Sequence, residues 1–213
     1  MRDVSTTATG SNASATLLGL VAWFFLVVWL GVQGALTTIG GPPAALGAAI
    51  ALPLLAFASD ARIGHPLFGG LVRLDGQVLI ALQTFRVGGI FFIVAWLGGS
   101  LPGAFALPAG LGDIIIGTTA PLVAAAVARR RPHHRALATA WNIAGLVDLV
   151  VAVGSGVVHS STSFGFFSGS VTTDALARYP FNLIPTFLVP LALLLHFLSL
   201  RRTPPSESAS VLT

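Results

Sequence analysis

The chain has 213 residues, of which 54% are hydrophobic and only 8% are charged, with a formal net charge of +4. Soluble domains carry charge on about a quarter of their residues, so this composition excludes an ordinary soluble protein and indicates an integral membrane protein. The sequence contains no lysine and no cysteine. Their absence excludes a Schiff base on a side-chain amine, disulfides and thiolate metal sites.

Six apolar segments are long enough, or nearly so, to cross a bilayer as helices, which takes about 20 residues. They are residues 16–38, 42–59, 76–98, 108–128, 136–157 and 177–199, and the second is the shortest. Residues 1–15 and 203–213 are rich in small polar residues and have little to bury, so they are predicted to be disordered tails. The sequence thus predicts an all-α, multi-pass bundle of about six transmembrane helices, with residues 16–202 forming a single domain.

The arginines predict how the bundle is oriented. All eleven basic residues are arginines, and nine of them lie in the N-terminal tail, after the last span, or in alternate connections between spans. The remaining connections, near 39–41, 99–107 and 158–176, contain no arginine. By the positive-inside rule, both termini are expected in the cytoplasm, and the protein in a bacterial cytoplasmic membrane. The positive charge favours contacts with anionic lipid over nucleic-acid binding.

Three ionisable residues lie inside the apolar segments: Arg86, Asp113 and Asp148. A charge at the centre of a membrane helix costs roughly 2.5–3.5 kcal/mol, so such residues usually pair or line a polar pathway. At 1.5 Å per residue, Arg86 and Asp148 lie roughly 15 and 18 Å from the cytoplasmic ends of their spans, and Asp113 about 8 Å below the outer surface. We expect an Arg86–Asp148 pair, with Asp113 about a turn above it, open to the outer face and able to exchange protons. A purely structural salt bridge is the alternative.

Small and polar residues recur at helical spacing in the three charged spans. Gln83 precedes Arg86 by three residues and shares its helix face. Stripes of glycine let helix backbones approach closely, so the glycines are predicted to bring these spans together, with packing alone as the alternative reading. The packing or hinge glycines are Gly110, Gly117 and Gly145.

The last span contains residues that interrupt a helix. Pro185 and Pro190 each free a backbone carbonyl one turn earlier and are predicted hinges. Broken helices near the midplane hold substrates or ions in many transporters. Asn182, together with Gln83 and Asn142 of the earlier spans, is therefore expected to orient a ligand, although Asn142 equally suits a helix–helix hydrogen bond.

Residues 99–109 are apolar, rich in glycine and proline, and too short to form a span. They predict a re-entrant loop or a lid over Asp113. The histidines do not pair across helices at matching depth, and His196 is expected near the cytoplasmic end of the last span. No metal site, haem or other cofactor is therefore predicted.

Residues 110–113 read GLGD, which resembles the GxGD signature of intramembrane aspartyl proteases. In that family the second catalytic aspartate comes from the preceding helix, and a PAL motif follows later. Here Asp148 comes after Asp113, and the nearest PAL-like residues are 190–193. The resemblance implies hydrolysis within the membrane, with these two aspartates as the reacting pair.

These patterns favour a protein that binds or translocates a small solute or ion through a polar intramembrane site, with proton coupling as an option. An accessory or assembly subunit of a larger membrane complex, with structural buried charges, is the alternative, and a GxGD-like hydrolase is the third hypothesis. The expected partners are membrane lipids and the solute or ion. Other membrane subunits or further copies of the chain are also possible partners. Nucleic acid is not an expected partner.

Overall fold

A computed structural model describes residues 4–63 and 68–202, and in these residues the chain forms helices and turns without a strand. The helices are α1 (Val4–Val32), α2 (Ala44–Ile63), the short α3 (Gly69–Val72), α4 (Gly76–Leu97), α5 (Gly103–Ala128), α6 (His134–Val158) and α7 (Ile184–Arg202). Two long helices contain an irregular stretch: α4 winds as a 3-10 helix over Gln83–Gly89, and α7 begins as a π-helix over Ile184–Leu188.

Five of these helices are long and apolar enough to cross a membrane: α4 to α7, and α1 through its Ala13–Val32 portion. The apolar part of α2, Ala44–Ser59, is shorter, in agreement with its place as the shortest predicted span. The prediction of an all-helical membrane bundle is confirmed. The protein is therefore described below as a membrane protein.

Contacts between connections define two faces of the bundle. At the α3 face, the Gly70 N–H donates to Thr16 Oγ1 at 2.9 Å, so the apolar part of α1 begins beside α3. At the opposite loop face, beyond the end of α1, the Gly40 N–H donates to Ser161 O, in the connection after α6, at 3.0 Å. Helix α1 thus runs from the α3 face to the loop face, and α2 returns because it ends just before α3.

The last helix also ends at the α3 face. The guanidinium of Arg202 donates to the carbonyl of Val72, and a Cβ built on Gly76 would lie 3.5 Å from Arg202 Cβ. Helices α4 to α7 alternate in direction between these points, so six helices of the described residues run between the two faces, and five of them are long and apolar enough to cross a membrane. The described chain starts and finishes on the same face, as the even span count predicts.

Helices α4 to α7 form the core, and α4 and α5 approach each other through glycine. A Cβ on Gly89 would lie 2.8 Å from Gly110 O, and one on Gly110 would lie 2.9 Å from Gly89 O. At Gly117, a Cβ would lie 2.8 Å from the carbonyl carbon of Arg86. Because no side chain separates the helices here, the 3-10 stretch of α4 lies directly against α5.

Three boundaries differ from the sequence prediction. Helix α5 begins at Gly103, with Pro102 as its N-cap, so most of the segment predicted as a loop or lid is the first two turns of a membrane helix. Helix α1 begins at Val4, because the proline-free stretch before the apolar run continues its hydrogen-bonded turns. Helix α7 begins at Ile184, where Pro185 suits a first turn. Residues 1–3 and 203–213 of the predicted tails lie outside the described residues.

Candidate functional site

The guanidinium of Arg86 lies between two carboxylates in the core of the bundle. Its Nε donates to Asp113 Oδ1 at 2.6 Å, its Nη2 donates to Asp148 Oδ2, and its Nη1 donates to Gly145 O at 3.3 Å. The Arg86 side chain is 2% exposed and each carboxylate 16%. The predicted intramembrane Arg–Asp pair is confirmed, and a second carboxylate on the same cation extends it.

The prediction that Asp113 lies about a turn above the pair is wrong. Because α5 begins at Gly103, Asp113 lies ten residues, or about 15 Å, inside its helix. Arg86 also lies ten residues inside α4, counted from Gly76 at the opposite face. Both side chains are therefore near the middle of the bundle. The predicted helix start at residue 108 placed Asp113 too close to the surface.

The Arg86 cluster extends to a buried histidine. His196 is fully buried, its Nε2 lies 3.1 Å from Arg86 Nη1, and its Nδ1 lies 2.8 Å from Asn142 Oδ1. The Asn142 Nδ2 donates to Ala138 O at 2.8 Å and to Ser199 Oγ at 3.0 Å, so its Oδ1 is the acceptor for His196. The imidazole therefore carries its proton on Nδ1 and accepts from Arg86 through Nε2, as a neutral ring.

His196 was not predicted to be part of the site. This residue was expected near the end of the last span, whereas α7 continues to Arg202 and leaves His196 about 9 Å inside the helix. The useful signal was the spacing of His196 and Ser199, which puts two polar side chains on one face of an apolar helix. Asn142, which was expected to meet a ligand or a neighbouring helix, is the residue that this face contacts.

Glycines make room for the charged groups. A Cβ on Gly145 would collide with the His196 imidazole, and one on Gly112 would collide with the Asp148 carboxylate. A Cβ on Gly89 would lie 2.5 Å from Asp113 Cβ. Gly145 therefore contributes to packing in a specific way, because the His196 imidazole occupies the space where a side chain at position 145 would lie.

The structure does not bring all of the predicted ligand residues to one place. Gln83 lies one turn from Arg86, and its Nε2 donates to Ala192 O of α7 at 2.9 Å. Asn182 instead connects the last helix to α1, because its Nδ2 donates to Val27 O at 2.6 Å and its amide fills the space beside Gly31. In the described structure Gln83 Oε1 and Asn182 Oδ1 are buried and without a hydrogen-bond partner.

A cavity of about 170 Å³ adjoins the cluster, and we call it the core cavity. Arg86 and Asp113 are its charged lining residues. The remaining lining residues are apolar or glycine: Phe85, Gly88, Gly89, Phe91, Phe92, Leu149, Ile184, Leu188, Val189 and Ala192. The 3-10 stretch of α4 and the π-helical stretch of α7, which contains Pro185, both border this cavity. The buried Pro190 lies two residues after the π-helical stretch.

A second cavity, of about 110 Å³, lies at the loop face, and we call it the outer cavity. Its polar lining residues are Thr37, Thr38, Ser160, Thr162, Thr173, Asp174 and Arg178. Its apolar lining includes Phe92, Ile184 and Val189, which also line the core cavity. These three side chains are therefore the shared wall between a cavity at the loop face and the Asp113 carboxylate.

Asp174, at the rim of the outer cavity, organises the loop there. Its Oδ1 accepts from the Ser161 N–H at 2.9 Å. Burial alone would raise the pKa of this carboxyl, but hydrogen bonds from Ser161 and Thr172 and the charge of Arg178 together lower the pKa below its ordinary value. Asp174 is therefore ionised at neutral pH and holds the 3-10 turn at Thr173–Ala177 against the preceding loop.

The charges of the cluster do not balance. With both carboxylates ionised and His196 neutral, one guanidinium faces two carboxylates, and the net charge is −1. In the part of the chain that the structure describes, no three histidine, cysteine or acidic residues form a metal-binding group. The arrangement is chemically suited to accept one proton or one cation.

Residues 43–203 match the family model described as Domain of unknown function (DUF8737), and the chain belongs to that family. The match runs from α2 to α7 and includes the whole Arg86 cluster and the core cavity, whereas α1 precedes it. No curated protein and no solved structure matches the chain.

Proposed function

We propose that this member of the DUF8737 family binds and translocates a small positively charged species, the proton included, through the site around Arg86. The observation that carries the proposal is the single guanidinium shared by Asp113 and Asp148, beside a cavity that Asp113 lines. A purely structural ion pair needs one carboxylate for one arginine. The second carboxylate leaves a negative charge that a proton or a cation neutralises.

Energetics favour occupation of this site. Removing an ion from water costs several kcal/mol even after the protein relaxes, and only an oppositely charged partner with good geometry offsets that cost. The Arg86 guanidinium can offset one of the two carboxylates. Intramembrane ionisable residues that are not fully paired typically mark pathways for ions or protons.

The irregular helices beside the core cavity support movement as well as binding. The 3-10 stretch Gln83–Gly89 and the π-helical stretch Ile184–Leu188 both depart from regular α-helical hydrogen bonding. Such stretches often mark functional hinges in membrane and soluble helices. Because both border the cavity, a change in either one would alter its walls.

We also propose that the α3 face is cytoplasmic, in a bacterial cytoplasmic membrane. The arginines at residues 129–131 and 135 lie at the ends of α5 and α6 that face the same side as α3, and Arg202 contacts Val72 there. This asymmetry is the one that the positive-inside rule associates with the cytoplasm. The outer cavity would then open away from the cytoplasm.

A subunit role in a larger complex is the second candidate. It is favoured by a cavity of about 430 Å³ between α1 and α2, lined by apolar residues such as Leu20, Trp23 and Leu52. Hydrolysis is not part of the proposal, because aspartyl proteases need two carboxylates that share a proton. Here the guanidinium of Arg86 bridges Asp113 and Asp148.

Charge movement in reconstituted membranes tests the proposal. Proteoliposomes adsorbed on a solid-supported membrane would be exposed to jumps in pH and in cation concentration, with transient currents recorded. Wild-type protein should produce a current that Asp113→Asn abolishes. Asp75→Asn is the matched control, because Asp75 is an exposed carboxylate just before α4, and its current should equal that of wild type.

The opposite pattern would support the subunit role. Currents that are absent in wild type, or unchanged in Asp113→Asn, would mean that the cluster moves no charge. Correct folding of each variant would be checked by its elution as a monodisperse species in detergent. A stable wild-type protein without current that co-purifies with further subunits would replace the translocation proposal.

A further inference from the structure

We infer that the core cavity binds a small organic ammonium ion, which reaches Asp113 from the loop face through the outer cavity. This inference rests on the proposed function, and it adds the chemical class of the ligand. It depends on the lining of the core cavity, its size and its connection to the outer cavity.

The lining combines a carboxylate with aromatic rings. Asp113 supplies the negative charge, and Phe85, Phe91 and Phe92 line the same cavity. Ammonium groups are attracted to the faces of aromatic rings within about 6 Å, and aromatic residues beside an acid are a recurrent way to recognise them. Arg86 does not oppose this binding, because its charge is already shared by two carboxylates.

An inorganic cation suits the lining less well. Calcium takes six to eight oxygen ligands and magnesium about six, whereas Asp113 is the single carboxylate among the lining residues and the uncharged ones are apolar or glycine. An organic ammonium ion needs only one counter-charge, and its alkyl groups can be buried against Leu149 and Val189. The apolar lining of the cavity therefore suits the alkyl groups of the ligand, and Asp113 suits its positive charge.

The size of the core cavity fits a small molecule. Its volume is about 170 Å³. An engineered protein cavity of about 150 Å³ binds benzene, so the core cavity has room for a ligand of that size. An ammonium ion with four or five carbon atoms falls in this range.

The wall shared by the two cavities marks the path by which the ammonium ion would reach Asp113 from the loop face. Phe92, Ile184 and Val189 line both cavities, so displacement of these side chains alone would join them. Phe92 is held by an edge-to-face contact with Phe105, with ring centroids 5.2 Å apart. A path with these walls would favour an ion that carries its own apolar groups over a strongly hydrated metal ion.

Binding of tetramethylammonium tests the ligand class. Its dissociation constant would be measured by calorimetry on purified protein, against sodium at equal ionic strength and against tert-butanol as a neutral compound of similar shape. Tetramethylammonium should bind, and the two comparison compounds should not. Asp113→Asn should weaken the binding by more than about tenfold, since it removes the charge that attracts the ammonium ion.

Leucine substitutions test the aromatic rings. Phe85→Leu and Phe92→Leu keep an apolar side chain but remove the ring, and each should weaken tetramethylammonium binding about fivefold. Phe57→Leu is the matched control, because Phe57 is a buried ring packed against Phe68 outside the core cavity. Its dissociation constant should equal that of wild type, whereas an equal loss in all three variants would overturn the aromatic role.

The absence of native cysteine allows a direct test of the path. Val153 lines the outer cavity, so Val153→Cys should react with a charged, membrane-impermeant maleimide. The adduct should slow tetramethylammonium association. Ser170→Cys is the control, because Ser170 is an exposed residue of the connection after α6 and does not line the outer cavity, and its adduct should leave association unchanged. Unchanged association in labelled Val153→Cys would overturn the path.

The outcomes separate this inference from the proposed function. If tetramethylammonium does not bind, or tert-butanol binds equally well, the ammonium class is wrong. If pH-jump currents that require Asp113 persist in that case, the proton is the translocated species and the proposed function stands. If neither binding nor current is found, both proposals fail.

Discussion

Replacement of Arg86 by glutamine should destabilise the bundle strongly. The substitution leaves Asp113 and Asp148 without their cation and removes the donor to Gly145 O and His196 Nε2. Breaking a buried ion pair by removing one partner costs about 3–5 kcal/mol. Because each carboxylate is 16% exposed and keeps some hydration, we expect the lower end, a loss of about 3 kcal/mol in the free energy of unfolding.

Neutralising the carboxylates should reverse most of this loss. The triple variant Arg86→Gln, Asp113→Asn, Asp148→Asn removes all three charges, and uncharged replacements of buried ion pairs are often close to neutral in stability. Unfolding would be followed by circular dichroism during titration with sodium dodecyl sulfate in mixed micelles. The matched control is Arg129→Gln, an exposed arginine at the end of α5, which should change stability by less than about 0.5 kcal/mol.

Two results would refute the reasoning about Arg86. If Arg86→Gln were as stable as Arg129→Gln, the guanidinium would not be compensating buried carboxylates. If the triple variant were no more stable than Arg86→Gln, the loss would come from side-chain packing and not from uncompensated charge.

Two further predictions concern α6 and the loop face. Gly145→Ala should lower the free energy of unfolding by about 1–3 kcal/mol, because its Cβ would collide with His196. Gly154→Ala in the same helix meets no atom within 4 Å and should be neutral or stabilising by up to about 1 kcal/mol; equal melting temperatures for the two variants would contradict the packing argument. The pKa of Asp174 is lowered in the folded state, so its stabilising effect is present above the ordinary pKa of aspartate and is lost as the pH falls through the lower folded value. Wild type should therefore melt above Asp174→Asn at neutral pH, and the difference should disappear in strong acid; a difference that grew as the pH fell would have the wrong sign.

The membrane class and the charged centre could be predicted from sequence for a simple reason. A bilayer excludes charge, so each arginine or aspartate inside an apolar run is conspicuous, and helical rise converts its position into depth. Arg86 and Asp148 were paired in this way. The predicted depth of Asp113 was wrong because the predicted start of α5 was wrong. Gly103 and Pro108 resemble loop residues, although a membrane helix tolerates them.

The role of His196 required tertiary structure. An uncharged histidine near a helix end is unremarkable in hydropathy, and its partners come from three other points in the sequence. Its position depends on Gly145, which leaves the space for the imidazole, and on Asn142, which sets its tautomer. Likewise, Asn182 could not be separated from the site by sequence, because contact with Val27 of α1 depends on which helices are neighbours.

The order of the cluster along the chain has a consequence for biosynthesis. Arg86 emerges from the ribosome first, Asp113 follows 27 residues later and Asp148 follows 62 residues later. A membrane insertion machine that releases helices one by one would therefore leave α4 in lipid with an unpaired arginine until the later helices arrive. Stable integration of α4 should depend on co-insertion with α5, and chains truncated before Gly103 should be retained at the insertion site or degraded.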